Sequence, residues 1–161
     1  MVVLGIDPGL AQTGWGVVET EGQRYRPVSY GVVKTNTKMS TEKRIHTIAS
    51  EIGVIAQKHS VGVASIEDIF FAKNISSAMS VAKVIGAIIQ QLSIQQLPVH
   101  LFTPLQIKLS VTGFGAAEKQ QVQQMVKLLL KLDTIPAPDH AADSLAAAIC
   151  YANSSLHLLR R

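Results

Sequence analysis

The sequence predicts an α/β fold in which a mixed five-stranded sheet carries helices on both faces. The first three strand candidates are short, β-branched and separated by turn residues, which is typical of an antiparallel meander. Two later short apolar segments alternate with long segments of helical period, as in parallel strand–helix–strand units. Of the 161 residues, 47% are hydrophobic and only 16% are charged, which indicates an ordered core. We expect a single domain over residues 1–161, because this length is too short for two domains of ordinary size.

The expected strands are bounded by polar turns or by glycine and proline, and they cover residues 2–7, 13–20, 25–35, 61–67 and 98–103. The first strand ends at Asp7, just before the break at Pro8. The fourth strand ends in a second carboxylate, Glu67. The first three strands are expected to pair antiparallel, and crossover helices make the last two parallel.

The expected helices have apolar residues three or four positions apart, and they cover residues 40–60, 76–96, 104–109 and 116–132, with a final helix from near Asp139. The second helix is apolar on more than one side, which predicts a central position or burial against a partner. Thr103 is expected to cap the third helix, with Pro104 at its first position. Glu118 is expected at the third position of the fourth helix, as in a capping box.

Charge and cysteine content narrow the class of protein. The formal net charge of +4 favours an anionic partner, nucleic acid first among them, although an ordinary basic soluble protein has the same balance. The single cysteine, Cys150, excludes a disulfide framework and a cysteine-based zinc site. The N-terminal segment does not look like a signal peptide, and the apolar stretches are judged too short to span a bilayer. We therefore expect a cytoplasmic protein that does not act at a membrane.

Three carboxylates stand at the ends of buried elements in a chain with only 11 acidic residues. Asp7 and Glu67 end the first and fourth strands, and Asp143 lies near the start of an otherwise apolar helix. Sites in open α/β sheets form outside the carboxyl ends of the strands, so these side chains are expected to converge. Crowded carboxylates repel one another unless a cation neutralises them, and oxygen ligands without cysteine suit Mg²⁺ or Mn²⁺. Two such ions roughly 3.5–4 Å apart can clamp both oxygens of a phosphodiester displacement.

His140 and Asp143 are three residues apart and share one helix face. A neutral imidazole at this position is suited to bind a second metal ion or to accept a proton from water. Each residue also has a structural interpretation. A strand-terminal acid often forms a turn, the helix dipole favours Asp143, and Asp139 after a proline is a good helix N-cap.

Four segments in this order resemble the RuvC family of Holliday-junction resolvases, which are bacterial endonucleases of the RNase H-like superfamily. The segments read GIDPGLAQTGWGVVE, ASIEDIFFAKN, GFGAAEKQQVQQMVKLLL and DHAADSLAAAI, and they run from the first strand to the last helix. The GIDPG opening alone is not specific, because related hairpins open sugar kinases and actin-like ATPases. The resemblance implies a dimeric enzyme that nicks a four-way DNA junction symmetrically in recombination and repair. It also implies two Mg²⁺ ions per site, replaceable by Mn²⁺.

The resemblance also implies roles for individual residues. The family's catalytic and metal-binding positions fall on Asp7, Glu67, His140 and Asp143. Some family members carry aspartate where this chain has His140, so the resemblance leaves open whether the imidazole is a ligand or a base. The expected DNA contacts are base stacking by Phe70 and phosphate binding by Lys73, Lys108 and Lys119.

The resemblance further implies a homodimer and a branch-migration helicase complex of the RuvA–RuvB type as a partner. The apolar second helix is the interface candidate, around Val81, Val84, Ile85, Ile88 and Ile89, and its alternative role is that of a core helix. Two other functions stay open from sequence. One is another RNase H-like nuclease, acting on RNA–DNA hybrid or other branched DNA. The other is a non-catalytic, structure-specific DNA-binding module.

Overall fold

The computed structural model describes residues 1–69 and 75–158. Its sheet has the strand order β3-β2-β1-β4-β5. The strands are β1 Val2–Asp7, β2 Gln12–Glu21, β3 Arg24–Lys34, β4 Val63–Glu67 and β5 Val99–Phe102. The first three pair antiparallel, whereas β4 runs parallel to both β1 and β5. The predicted mixed five-stranded sheet is therefore confirmed.

The helices follow the predicted order along the chain. They are α1 Thr41–Lys58, α2 Ile75–Ile94, α3 Pro104–Thr112, α4 Lys119–Leu129 and α5 Asp139–Leu158. Helices α1 and α2 cover one face of the sheet, and α5 covers the other with α3 and α4 beside it. The alternation along β1 explains the two layers, because Leu4 and Ile6 face α1 and α2 while Val3 faces α5.

Glycines in β1 and β2 let α5 lie unusually close to the sheet. A Cβ on Gly5 would overlap the carbonyl oxygen of Ser144, and one on Gly16 would lie 2.7 Å from a methyl carbon of Leu145. The small residues of α5 are buried on this side, Ala148 among them with no exposed surface. The buried hydroxyl of Ser65 on β4 donates a 2.6 Å hydrogen bond to the carbonyl of Ala147. The alanine-rich helix and the sheet glycines are thus complementary surfaces.

The helix boundaries differ most from the predicted ones at the end of α3 and at both ends of α4. Helix α3 continues to Thr112 and ends at Gly113, whose φ of 76° is the left-handed conformation that glycine adopts readily. Helix α4 begins at Lys119, so Glu118 is its N-cap and not its third residue. The backbone N–H of Glu118 donates to Oε1 of Gln121 at 2.8 Å, so the N–H of the cap residue has its partner within the first turn. The predicted cap at Thr103 is confirmed, since its hydroxyl accepts from the N–H of Gln106.

Helix α2 decides between two alternatives and corrects one expectation. Val84, Ile85 and Ile88, for which an interface role and a core role were both open, are buried in the core of this same chain. The stretch Ser76–Ile94 also has the length and apolar composition of a membrane span, contrary to the expectation that no stretch reaches it. A single helix of this kind is weak evidence for a membrane. Only 22% of that stretch is buried within the chain, so α2 keeps a broad uncovered surface that includes Met79.

Candidate active site

Asp7 and Glu67 leave the sheet side by side. Ile6 of β1 pairs with Ile66 of the parallel strand β4, so the next residue on each strand projects from the same edge. The Asp7 side chain is only 18% exposed, and Glu67 is likewise half-buried. The predicted convergence of the two strand-terminal acids is therefore present in the structure.

Helix α5 brings His140 and Asp143 to this edge. Asp7 pairs with Gly14 across β1 and β2, and a Cβ on Gly14 would overlap the backbone carbonyl of His140. The first turn of α5 can therefore lie directly over the strand pair. Nδ1 of His140 is 2.7 Å from Oδ2 of Asp7, a hydrogen-bond distance between residues far apart in the chain. This contact orients the imidazole and leaves its Nε2 for another partner.

Asp7, His140 and Asp143 form a group suited to a cation. Each offers one ligand atom, and these atoms all lie within 4.8 Å of one another. Glu67 is not in this tight group, but it lines the same cavity of about 340 Å³. Carboxylate oxygens with one imidazole nitrogen are a donor set that hard divalent cations accept. The donor chemistry thus fits the metal that the sequence predicts.

Two acids of this cavity, Glu67 and Asp143, have a raised pKa. Burial, and then the charges of Asp7 and Asp143, raise the pKa of Glu67 to about 7. Burial and the charge of Asp7 also raise the pKa of Asp143, against the opposing effect of Lys119. Ionisation of these neighbouring acids would bring negative charges close together in a half-buried site. A bound cation would relieve this repulsion.

Two lysines supply positive charge to the same cavity. Lys108 and Lys119, which the family resemblance assigns to DNA contact, both line it. Nζ of Lys119 is 3.2 Å from Oδ2 of Asp143 and also 3.2 Å from Oδ2 of Asp139. Burial acts to lower the pKa of Lys119, but the charge of Asp143 and the bonds to both carboxylates raise it overall. Lys119 therefore stays an ammonium next to the cluster.

Asp139 has a different role from the expected one. Helix α5 begins at Asp139 itself, so this residue is in the first turn and is not the cap before it. Its Oδ1 accepts a 3.2 Å hydrogen bond from Nε2 of Gln123 on α4. Sequence reasoning did not single out Gln123. A glutamine one turn after Lys119 on the same helix was the available signal, since the two share a face.

Two of the predicted DNA contacts, Phe70 and Lys73, lie outside the described residues. In the sequence they come three and six positions after Glu67. The roles assigned to them stay predictions.

Comparisons with known proteins agree along nearly the whole chain. A family model described as crossover junction endodeoxyribonuclease RuvC matches residues 3–151. This range contains Asp7, Glu67, His140 and Asp143. The protein of that name from Alkaliphilus metalliredigens is 41% identical over 154 residues, which are 96% of this chain and 94% of that protein. Its counterpart from Heliobacterium modesticaldum is 43% identical over 154 residues, 96% of this chain and 95% of the other.

A solved structure agrees equally well. Thermus thermophilus RuvC, in complex with a Holliday junction substrate, has a TM-score of 0.93 to this chain at 32% sequence identity. The alignment covers 98% of this chain and 96% of that one.

Proposed function

This chain belongs to the RuvC family of crossover junction endodeoxyribonucleases, and we propose that it resolves four-way DNA junctions by hydrolysing one phosphodiester bond in each of two strands. The observation that carries this proposal is the meeting of Asp7, His140 and Asp143 at one edge of the sheet. The Thermus relative with a Holliday junction as its substrate supports the choice of DNA.

Asp7, Glu67, His140 and Asp143 are proposed to hold the metal, with Mg²⁺ as the physiological ion, two per site, and Mn²⁺ as a substitute. When bound, such ions act as Lewis acids that polarise the phosphoryl oxygens. The chain's own contribution is to fix the ligands. Asp7 is held at the end of a buried strand, and its bond to His140 sets the orientation of the imidazole. The half-buried Glu67 borders the cavity from the neighbouring strand.

His140 has two proposed roles that its geometry supports equally. The ring nitrogen not engaged by Asp7 is suited to bind a metal ion, or to take a proton from the attacking water. Either role requires a neutral ring. The side chain is 43% exposed, so the ring is accessible from solvent.

Lys108 and Lys119 are proposed to contact the DNA backbone beside the cleaved bond. Both line the acid cavity, where a phosphate would otherwise meet only negative charge. Phe70 is proposed to stack on a base near the exchange point, with Lys73 on a nearby phosphate, on the strength of the family resemblance. Stacking of that type contributes about 1–3 kcal/mol per base.

A homodimer is proposed because two coordinated cuts need two active sites, related by the same two-fold symmetry as the junction arms. The uncovered surface of α2 is the proposed interface. It includes Met79, which is 56% exposed, and Gly86, where an added Cβ would meet no atom within 4 Å. A branch-migration helicase complex of the RuvA–RuvB type is the proposed partner in the cytoplasm, again from the family resemblance.

Cleavage of three matched substrates tests the function. A synthetic four-way junction, a plain duplex and an RNA–DNA hybrid share one arm sequence, and each is incubated with the protein in Mg²⁺, Mn²⁺ or EDTA. We expect paired nicks in the junction alone, and only with metal. Asp7→Asn should bind the junction without cutting it, whereas Asp133→Asn, which removes an exposed carboxylate elsewhere, should cut normally.

Three results would contradict the proposal. Undiminished cleavage by Asp7→Asn would refute the metal site. Strong preference for the hybrid would indicate another RNase H-like nuclease. If the natural chain binds the four-way junction tightly without cleaving it, the protein is a binding module.

A further inference from the structure

Lys119 lies between two carboxylates of α5 that differ in their surroundings. Its Nζ is 3.2 Å from an oxygen of each. Asp143 is 25% exposed and belongs to the group suited to a cation, together with Asp7 and His140. Asp139 is 67% exposed and lies outside that group. One ammonium thus pairs at once with a candidate metal ligand and with an acid that is not one.

Two side chains of α4 contact Asp139. Its Oδ1 accepts a hydrogen bond from Gln123, and its Oδ2 faces Lys119. Gln123 and Lys119 stand on successive turns of α4, and Gln123 is only 8% exposed. Both carboxylate oxygens are therefore engaged by one helix.

The pairing of Lys119 with Asp143 opposes a cation in the cluster. A divalent ion on Asp143 and an ammonium on the same carboxylate carry like charges at short range, and the repulsion is strong in a half-buried site. If Asp143 were the sole anion near Lys119, a bound divalent cation would displace the lysine from the cavity rim. Because Asp139 is a second anion beside Lys119, the ammonium can leave Asp143 and still be paired at the rim.

We propose that Asp139 is a positioning residue for Lys119. When a cation occupies the cluster, the ammonium gives up Asp143 and keeps Asp139, so the ligand is freed while Lys119 stays at the rim where a phosphate arrives. Without metal, Lys119 acts as the internal counter-ion of the cluster. This inference rests on the proposed metal-dependent function of the same site.

A double-mutant cycle on metal affinity tests the inference without any cleavage assay. The Kd for Mn²⁺ is measured by electron paramagnetic resonance of free Mn²⁺ for the natural chain, Asp139→Asn, Lys119→Met and the double variant. Lys119→Met should bind Mn²⁺ more tightly, because a competing charge is gone. Asp139→Asn should bind about two- to fivefold more weakly, because Lys119 then pairs with Asp143 alone. In the Lys119→Met background, Asp139→Asn should have no effect on the Kd.

Controls separate this role from general electrostatics and from folding. Asp133→Asn removes the same charge from an exposed position and should leave the Kd unchanged. Asp139→Glu should restore most of the affinity. Thermal unfolding in EDTA identifies any variant whose Kd changes because it is unfolded, and Asp139→Ser then replaces Asp139→Asn in the cycle.

Two outcomes would overturn the inference alone. In the first, Asp139→Asn changes the Kd for Mn²⁺ equally in both backgrounds, which would show that Asp139 attracts the metal through space. In the second, Asp139→Asn changes the Kd in neither background. A natural chain that binds no Mn²⁺ would overturn the proposed function as well. A natural chain that binds Mn²⁺ and cuts junctions, but whose variants behave additively, leaves the function intact and refutes only the role of Asp139.

Discussion

The backbone carbonyl of His140 rests against Gly14, at a place where any Cβ on that glycine would overlap it. Gly14 pairs across the sheet with Asp7, whose carboxylate contacts the His140 ring. The absence of a side chain at Gly14 of β2 therefore decides how close the first turn of α5 comes to the end of β1. The grouping of Asp7, His140 and Asp143 depends on this separation.

Gly14→Ala is expected to disturb both folding and the site. The new methyl must push α5 outward, and overpacking of this kind typically destabilises a protein by about 1–3 kcal/mol. Mn²⁺ affinity should fall with it, because His140 and Asp143 move away from Asp7. Urea denaturation and Mn²⁺ titration measure the two effects. Gly62→Ala is the control, since its Cβ would meet its nearest atom at 3.6 Å. Unchanged Mn²⁺ binding in Gly14→Ala would contradict the assigned role of the glycine.

Glu67→Gln should stabilise the metal-free protein at neutral and alkaline pH. The pKa of Glu67 rises from 4.5 to about 7 in the folded chain, so the folded state holds a proton that the unfolded state has already lost. The natural chain therefore loses stability as pH rises through this window, and the amide does not. The full difference is on the order of 2–3 kcal/mol above about pH 8, and it should vanish below about pH 4.

Denaturation in EDTA across pH measures this difference. Glu51→Gln, at an exposed position of α1, should show no such pH dependence. A variant that is less stable than the natural chain at every pH would show that Glu67 is not held in a protonated, desolvated state.

His140→Ala should weaken Mn²⁺ binding, because the group of Asp7, His140 and Asp143 then loses one of its three ligand atoms. Mn²⁺ titration measures the loss. His46→Ala, at an exposed histidine of α1, should leave the affinity unchanged. Unchanged Mn²⁺ affinity in His140→Ala would exclude the imidazole as a ligand.

Ser65→Ala should loosen the contact between β4 and α5. The Ser65 hydroxyl has no exposed surface and donates to the Ala147 carbonyl at 2.6 Å. Loss of one such buried hydrogen bond typically lowers the free energy of unfolding by about 1 kcal/mol. Urea denaturation of the variant checks this value. Ser50→Ala, on the outer side of α1, is the matched control, and an equal loss in both would refute the bridging role.

The sheet and the strand-terminal acids could be predicted because each depends on local pattern. An apolar run of strand length that ends in a carboxylate places Asp7 and Glu67 correctly once the two strands are parallel. The same pattern does not say which glycine faces which helix, so the contact of Gly14 with His140 was not predicted. The pairing of Lys119 with Asp139 was also missed, since it requires α4 to lie beside α5.

The apolar surface of α2 shows the same limit. Its periodicity identified an excess of hydrophobic residues, but Val84, Ile85 and Ile88 turned out to be the side that packs on this chain's own sheet. Periodicity gives the width of an apolar surface and not the direction from which it is covered.

Asp7 and His140 are separated by 133 positions, yet their side chains form one hydrogen bond. The proposed metal ligands are divided among β1, β4 and α5, so neither a growing polypeptide that lacks α5 nor a molecule whose α5 has detached holds the complete set. The proposed hydrolytic activity is thereby restricted to finished, folded molecules. For an enzyme that cuts DNA, this order of assembly means that incomplete copies of the protein cannot cut the chromosome.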